Sequence, residues 1–303
     1  MSASSAQGIT LGDGTVEVDI LPHLGAAITR CEFMDEEGRA PIFMPTSFGS
    51  GSDAMAAASI LLVPWSNRIS GGGFPFHGRF VSLSPNLPGE AFPIHGNAFQ
   101  LPWELAESSE RAARLCLESY GPGEFRYSAQ VEYEIIEGML GIRLGVKNTG
   151  SKDMLFGLGL HPWLPRTPET QLEFEAKAMW REDKDHLPSD RIDIADRTAW
   201  DFSCARRLPD GWINNAFENW DGRATIIWPE QRLAVRIAAS ANLGTCIVYS
   251  PGKDANFFCF EPVSHPVDAH NLPVPEEHGL VMLAPGELLQ AWCLFVPERI
   301  AWS

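Results

Sequence analysis

Apolar and polar residues alternate with a period of two over much of this chain, and no other feature constrains its fold as strongly. The alternation is clearest at 16–20, 127–135 and 142–146. Because successive side chains of a β-strand point to opposite faces of a sheet, it predicts strands that bury one face. The last two runs flank the turn sequence Glu137-Gly138 and therefore predict a β-hairpin.

Shorter apolar runs separated by glycine and proline predict further strands. They lie at 172–176, 224–228, 233–237, 246–249, 257–260, 279–283 and 288–296. No long amphipathic helix is indicated, and only 54–62 predicts a short helix, which Pro64 would end. The chain is therefore predicted to be all-β, a large sandwich of antiparallel sheets. Its length of 303 residues and hydrophobic content of 45% favour one domain over residues 1–303.

Charge and hydropathy restrict the partners and the location. With 39 acidic and 23 basic residues the formal net charge is −16, which opposes binding to nucleic acid or to an anionic membrane. The segment 1–10 lacks the features of a signal peptide, and no apolar run reaches about eighteen residues. We therefore expect no membrane association and a cytoplasmic location. There, the six cysteines are predicted to be buried free thiols.

Glu261 is the strongest single indication of chemistry in the sequence. It follows the apolar run 257–260, and Pro262 predicts that the chain turns at this point. A carboxyl group in such a place would be desolvated, which would raise its pKa toward the range useful for proton transfer.

Three other polar residues interrupt or leave apolar stretches. Arg68 is bracketed by apolar residues within 64–69, so a buried guanidinium there would need an ion-pair partner or a ligand. His95 and His161 each follow an apolar stretch beside Gly or Pro, which suits side chains projecting from strand ends into a cleft. The alternatives are a structural ion pair for Arg68 and hydrogen-bonded core positions for the histidines.

Metal and cofactor chemistry have little support. His265, Asp268 and His270 are close in sequence, but on a strand residues 268 and 270 would share a face that 265 does not. Signatures of a nucleophile elbow, a P-loop and a dinucleotide-binding loop are missing. We expect neither a metal nor a cofactor. One acid, two histidines, one arginine and ten tryptophans suit proton transfer on a sugar held against aromatic rings.

The same segments resemble the aldose 1-epimerase family, the galactose mutarotases. The matching motifs are Asn67-Arg68-Ile69 followed by Gly73-Phe74, Pro93-Ile94-His95-Gly96 followed by Trp103, His161-Pro162-Trp163, and Glu261-Pro262. They occur in the family's order, and the resemblance covers nearly the whole chain. The extension through His265, Asp268 and Asn271 is similar to an uncharacterised bacterial branch of mutarotase-like proteins. The resemblance implies a β-supersandwich of large antiparallel sheets, in agreement with the all-β pattern.

The resemblance also implies roles for individual residues. Glu261 would be the general base that takes the proton of the anomeric hydroxyl, and His161 the general acid that protonates the ring oxygen and opens the ring. His95 would assist on the ring-oxygen side, and Arg68 and Asn67 would hold sugar hydroxyls. In the productive complex Glu261 should be ionised and His161 protonated, and no cofactor is needed.

Two positions depart from the family pattern. An aspartate that binds sugar hydroxyls in the family, in a Leu-Asp-x-x-Phe setting, corresponds here to Asn214, whose amide carries no charge. Trp163 replaces the tyrosine usual after His-Pro, which enlarges an apolar wall. Both residues are expected to contact the substrate, and the sugar need not be galactose or glucose.

The leading hypothesis is an aldose 1-epimerase that acts on a free monosaccharide, as a monomer or a homodimer. The first alternative is a hexose-6-phosphate 1-epimerase of the same superfamily, but few basic residues besides Arg68, Arg79 and Arg166 lie near the motifs. The second alternative is a non-catalytic carbohydrate-binding or regulatory protein of the same fold. Binding alone does not need an acid and a base, so the presence of both His161 and Glu261 argues against it.

Overall fold

Burial alternates along the strands as the sequence alternates. The strand Tyr127–Ile136 shows this alternation of buried and more exposed residues most clearly. The computed structural model describes residues 8–46, 54–194 and 200–301. The strands of these residues are β1 (Ile9–Gly12), β2 (Val16–Leu21), β3 (Ala27–Asp35), β4 (Gly38–Phe43), β5 (Ser59–Leu62), β6 (Gly73–Phe76), β7 (Arg79–Ser82), β8 (Glu104–Ser108), β9 (Ala112–Ser119), β10 (Tyr127–Ile136), β11 (Met139–Asn148), β12 (Met154–Phe156), β13 (Gly159–Pro165), β14 (Gln171–Phe174), β15 (Ala178–Glu182), β16 (Pro188–Asp193), β17 (Arg206–Arg207), β18 (Ile213–Glu218), β19 (Arg223–Trp228), β20 (Leu233–Ala239), β21 (Thr245–Ser250), β22 (Phe257–Val263), β23 (Val281–Leu283) and β24 (Leu288–Arg299). Short 3-10 helices lie at Ala54–Ala56, Ala98–Gln100, Pro229–Gln231, Ala269–Asn271 and Pro275–His278.

Two large antiparallel sheets contain most of these strands. In the described part of the chain the first sheet has the order β1-β2-β3-β5-β13-β22-β21-β18-β15-β16, with β4 also paired to β3. The second sheet has the order β17-β14-β19-β20-β24-β11-β10-β9-β8, and β6-β7 and β12-β23 form two small sheets. The prediction of an all-β supersandwich of large antiparallel sheets is therefore confirmed. None of the helices described is long and apolar enough to cross a bilayer.

The hairpin predicted around Glu137-Gly138 is confirmed. β10 and β11 pair along their whole length, and Ile136 opposite Met139 closes the ladder. Glu137 and Gly138 have φ angles of 49° and 76°, the left-handed conformations of a two-residue hairpin turn.

Two local expectations are wrong. The segment 54–62 forms a single 3-10 turn followed by β5, because Ser59–Leu62 pairs with β13 and this long-range pairing overrides local helix propensity. Likewise the chain does not turn at Pro262, since β22 continues to Val263 and Pro262 lies opposite Cys246 of β21.

Aromatic side chains join the two large sheets through the core. The rings of Phe43 on β4 and Phe295 on β24 pack edge to face, with centroids 5.0 Å apart. The hydroxyl of Tyr133 on β10 donates to the carbonyl oxygen of Ala26 at 2.7 Å. The indole N–H of Trp228 on β19 donates to the carbonyl oxygen of Pro165 on β13 at 2.8 Å. The buried face of the first sheet is thereby fixed against the second.

The central strands of the first sheet have a second face that points away from this core. Leu160 and Leu164 of β13 and Phe258 and Phe260 of β22 belong to the core between the sheets. The intervening residues of these strands project to the opposite face, because side chains alternate along a strand. Two of the sequence-predicted residues, His161 and Glu261, lie on that face.

All six cysteines are free thiols, but the prediction that all of them are buried is wrong for Cys116 and Cys204, whose side chains reach the surface. Cys31, Cys246, Cys259 and Cys293 are buried, whereas Cys116 is half-buried and Cys204 is exposed.

Candidate active site

His161 and Glu261 meet across neighbouring strands. β13 and β22 pair at Gly159 with Val263 and at Trp163 with Cys259, a register that puts His161 opposite Glu261. His161 Nε2 lies 3.5 Å from Glu261 Oε1. Both residues lie within strands, so the expectation that His161 projects from a strand end is wrong. Pairing between β13 and β22, rather than a turn of the chain, brings Glu261 and His161 together.

Burial shifts the pKa values of this pair in opposite directions. Glu261 is 2% exposed and His161 is 6% exposed. Desolvation raises the pKa of Glu261 to about 8, although the nearby Arg68 charge opposes the rise. Desolvation lowers the pKa of His161 to about 3. Near neutral pH the pair therefore holds one proton, which resides on Glu261 when no ligand is bound.

His95 lies beside the pair in a fixed tautomeric form. Its Nδ1 accepts a hydrogen bond from the backbone N–H of Asn67 at 3.1 Å, so the proton of the neutral ring is on Nε2. The His95 ring meets the His161 ring edge to face, with centroids 5.2 Å apart. Burial, together with the neighbouring His161 and Arg68, holds the pKa of His95 well below its usual value. His95 is thus a neutral hydrogen-bond donor next to the acid and the histidine.

The turn that carries His95 depends on left-handed backbone conformations. His95 and Gly96 have φ angles of 61° and 65°. A Cβ atom at Gly96 would lie 2.0 Å from the carbonyl oxygen of Val63. Glycine is therefore required directly after His95.

Arg68 already has a partner for its charge. Its Nε and Nη2 donate to the two carboxylate oxygens of Glu90 at 3.0 and 2.9 Å. Asn67 has a φ angle of 57°, and its side-chain Oδ1 accepts a hydrogen bond of 2.9 Å from the backbone N–H of Arg68. Asn67 therefore positions both Arg68 and His95, and Glu90 neutralises the guanidinium.

The segment after β22 ties the strand end to the segment 66–70. His265 accepts the N–H of Ser66 at Nε2 (3.1 Å) and donates from Nδ1 to the carbonyl oxygen of Pro266 (2.8 Å). Asp268 accepts the N–H and the hydroxyl of Ser70 at 2.8 and 2.6 Å. His265 and Asp268 therefore form hydrogen bonds that hold two loops together. His270 is buried against Phe74, with ring centroids 4.5 Å apart.

Aromatic side chains form one wall beside the histidine and the acid. The ring of Trp163 stacks on the ring of His161 with centroids 4.0 Å apart and an interplanar angle of 22°. The strand register continues from Trp163 through Cys259 and Tyr249 to Asn214, all on the same face of the sheet. Asn214 therefore lies on the same face of the sheet as Glu261, two strands away from it.

Asn214 is linked to a carboxylate on the next strand. Its Nδ2 donates to Oε2 of Glu182 at 2.8 Å. Glu182 also accepts hydrogen bonds from the indole N–H of Trp212 and from Nδ1 of His186. The ring of Trp212, which is 47% exposed, contacts the ring of Tyr249 at a centroid distance of 5.2 Å. A carboxylate thus stands beside the amide that replaces the expected aspartate.

Chemically, this face can move protons on a neutral ligand. It combines a buried carboxyl and imidazole that share one proton, a neutral histidine donor and an aromatic wall for the apolar face of a ring. Oε2 of Glu261 has no hydrogen-bond partner among the described residues and is available to a ligand.

Comparison with known proteins decides the family. The model of the aldose 1-epimerase family matches residues 7–296 of the chain. The chain belongs to the aldose 1-epimerase family. A relative from Escherichia coli K12, the uncharacterized protein YphB, is 30% identical over 240 residues, which cover 77% of this chain and 81% of that protein. The resemblance to an uncharacterised bacterial branch is thereby confirmed.

Solved structures of aldose 1-epimerase type share the fold. An Escherichia coli K12 structure provisionally named aldose 1-epimerase superimposes with a TM-score of 0.88 and 28% identity, over 97% of this chain and 99% of the other. A GalM/aldose epimerase homologue from C. elegans gives a TM-score of 0.82 at 15% identity, over 97% and 99%. A galactose 1-epimerase from Lactobacillus acidophilus gives 0.74 at 16%, over 97% and 95%. The last two matches show the fold alone.

Several residues of this aldose epimerase family member were not identified from its sequence. They are Glu90, Glu182, Trp212, Tyr249 and Cys259. Cys259 could have been found, because it stands two residues before Glu261 on one strand. The others reach the site through pairing between distant strands or a loop contact, for which the sequence carries no local signal.

Proposed function

We propose that this chain is an aldose 1-epimerase that interconverts the α and β anomers of a free, neutral monosaccharide. The observation that carries the proposal is the contact of His161 with Glu261, 3.5 Å apart and buried beside Trp163. An acid and a base on neighbouring oxygens of one hemiacetal can each contribute about 10²- to 10⁴-fold to the rate.

The active form of the pair has its proton on His161 and its charge on Glu261. It contains the same number of protons as the neutral form favoured by burial, so substrate binding only has to relocate one proton over a short distance. Hydrogen bonds from sugar hydroxyls to the Glu261 carboxylate favour the ionised form. The sugar itself therefore promotes the active state.

Ring opening then proceeds in one balanced step. Glu261 takes the proton of the anomeric hydroxyl, His161 gives its proton to the ring oxygen, and the bond between C1 and the ring oxygen breaks as the C1 carbonyl forms. After rotation about the C1–C2 bond, His161 takes back the proton of the ring hydroxyl and Glu261 returns its proton to the carbonyl oxygen. His95 donates a hydrogen bond from Nε2 to an oxygen on the ring side. At the end of the cycle Glu261 and His161 have returned to their starting protonation states.

A neutral sugar fits the charges of the site better than a sugar phosphate does. The guanidinium of Arg68 forms two hydrogen bonds with Glu90 and cannot also compensate a phosphate dianion without breaking them. Glu182 adds a further carboxylate on the same face, beside Asn214. We propose that Arg68, Asn214 and Trp163 contact the sugar, and that Asn67 acts by orienting Arg68.

Anomer exchange measured by NMR with a panel of aldoses and their 6-phosphates tests the proposal. We expect acceleration with at least one free aldose, and a loss of about 10²- to 10⁴-fold in Glu261→Gln and in His161→Gln. Glu298→Gln, which replaces a partly exposed glutamate on β24 that pairs with Arg236, is the matched control and should keep the normal rate. Near-normal exchange in Glu261→Gln would show that the mechanism is wrong, and no acceleration with any sugar would leave only carbohydrate binding.

A further inference from the structure

The proposed catalytic face carries a thiol that the epimerase chemistry does not use. Cys259 precedes Glu261 by two residues on β22, so its side chain projects to the same face, and it is fully buried. Ligand atoms of His161, Cys259 and Glu261 all lie within 4.8 Å of one another. Imidazole nitrogen, thiolate sulfur and carboxylate oxygen are the three ligand types that zinc prefers in proteins.

We propose that Cys259, His161 and Glu261 form a binding site for Zn²⁺ or a similarly soft divalent transition ion, and that the bound ion inhibits anomer exchange. The inhibition rests on the proposed function, whereas the ion site does not. The reaction itself remains independent of metal, and the ion acts as a competitor of the sugar.

The geometry of the three side chains is close to that of a zinc site. Ligand atoms at tetrahedral positions around zinc, with bonds of 2.0 to 2.3 Å, are about 3.4 to 3.7 Å apart. His161 Nε2 and Glu261 Oε1 are already 3.5 Å apart. The thiol sulfur lies within 4.8 Å of both other ligand atoms, so it needs to approach by at most about 1 Å, which a change of the Cys259 χ1 angle can supply. Three protein ligands leave the fourth position open to water.

The charges of the ion and its ligands balance in the buried site. Binding expels the proton of the Cys259 thiol and any proton on Glu261 to solvent, and forms bonds from zinc to sulfur, oxygen and nitrogen. A divalent ion with one thiolate, one carboxylate and one neutral imidazole has no net charge, which limits the desolvation cost. In addition, Oε2 of Glu261 has no hydrogen-bond partner among the described residues and is therefore not held by another group.

The ion would inhibit because it occupies both proton-transferring groups. A metal-bound imidazole nitrogen cannot carry the proton for the ring oxygen, and a metal-bound carboxylate is a weaker base. Magnesium and calcium prefer sites made of oxygen ligands alone, so they are not expected to inhibit.

Replacement of Cys259 separates the ion site from the catalytic groups. Cys259→Ser and Cys259→Ala should keep kcat/KM within about twofold in the absence of zinc, because neither changes the acid or the base. In both variants the half-inhibitory Zn²⁺ concentration should rise at least about tenfold, since the sulfur ligand is lost. Cys204→Ser, which removes an exposed thiol, is the matched control and should keep the normal zinc sensitivity. Equal inhibition of the normal protein and both Cys259 variants would overturn the proposal.

Cobalt spectroscopy tests the ion site without any sugar. Co²⁺ added to the protein should produce a sulfur-to-cobalt absorption band in the near ultraviolet, which Cys204→Ser keeps and both Cys259 variants lose. Absence of that band in the normal protein would refute the site even if sugars are turned over. A band that depends on Cys259, in a protein that accelerates no sugar, would instead support the site and contradict the proposed function.

Discussion

At the scale of single residues, the burial of Glu261 couples the candidate site to protein stability. The pKa of Glu261 is raised from 4.5 to about 8, so between these pH values the folded protein keeps a proton that the unfolded chain has released. The contribution of Glu261 to the free energy of unfolding therefore falls as the pH rises through this interval. The same carboxyl group that serves as the proposed base makes the fold less stable in alkaline solution.

Glu261→Gln should remove this pH dependence. Near pH 5 the normal side chain is uncharged, so the variant should be about as stable as the normal protein. At pH 9 we expect the variant to be more stable by about 4 kcal/mol, because it no longer buries a carboxylate. Urea unfolding at both pH values measures the difference, with Glu298→Gln as control. A difference that stays constant with pH would contradict the raised pKa.

Glu90 is predicted to set the charge that Glu261 experiences. Glu90→Gln removes the carboxylate that neutralises Arg68, and the uncompensated guanidinium should lower the pKa of Glu261. The alkaline limb of the pH profile of kcat/KM, where the pair loses its single proton, should therefore move to lower pH. NMR anomer exchange between pH 6 and 10 checks this, and an unchanged limb would show that Arg68 does not act on the pair.

At the scale of elements, the site depends on how β13 and β22 are joined to the surrounding loops. Gly157 precedes β13 and lies directly against His265, where a Cβ atom would be 2.2 Å from Cδ2 and 2.4 Å from Nε2 of the ring. The same ring nitrogen accepts the N–H of Ser66. A side chain at residue 157 would thus push apart two loops, the one that carries Arg68 and the one that follows Glu261.

Gly157→Ala should destabilise the fold by about 1 to 3 kcal/mol through overpacking. The matched control is Gly211→Ala, since no atom of the described residues lies within 4 Å of a Cβ atom at residue 211. Thermal unfolding of the two variants measures the contrast. If both variants had the same unfolding midpoint as the normal protein, the contact between residue 157 and His265 would not contribute to stability.

At the scale of the whole molecule, the two large sheets share one core. Phe43 and Phe295 belong to different sheets and pack ring against ring, and Tyr133 and Trp228 each donate a hydrogen bond to the first sheet. Neither large sheet can bury its inner face without the other. The proposal of one domain over residues 1–303 follows from this dependence.

Calorimetric unfolding should therefore show one transition. Phe43→Ala should lower the midpoint of the entire transition, with a cost of about 3 to 5 kcal/mol for a large core truncation. Scanning calorimetry of the normal protein and the variant provides the measurement. Two separate transitions, only one of them shifted by the variant, would contradict the single domain.

The sequence by itself determined the strands with clear alternation or apolar runs, the hairpin at Glu137-Gly138, the fold class and the family motifs, whereas strands such as β3, β5 and β13 were not predicted. These features depend on period-two alternation, on turn residues and on short segments, and all of them are local properties of the chain. The same local reasoning failed at 54–62 and at Pro262, where pairing with β13 and β21 prevailed over the preferences of the segment.

The tertiary structure alone decided which side chains meet. Nothing in the segment around residue 161 specifies that it pairs with residue 261 a hundred positions later, because register is fixed by the fit of whole faces. That pairing put His161 3.5 Å from Glu261, added Cys259 to them, and buried the carboxyl so that its pKa rises. A contact between Arg68 and Glu90 likewise decided that the guanidinium is neutralised. Sequence named the reactive groups, and the packing of the strands set their distances, charges and protonation.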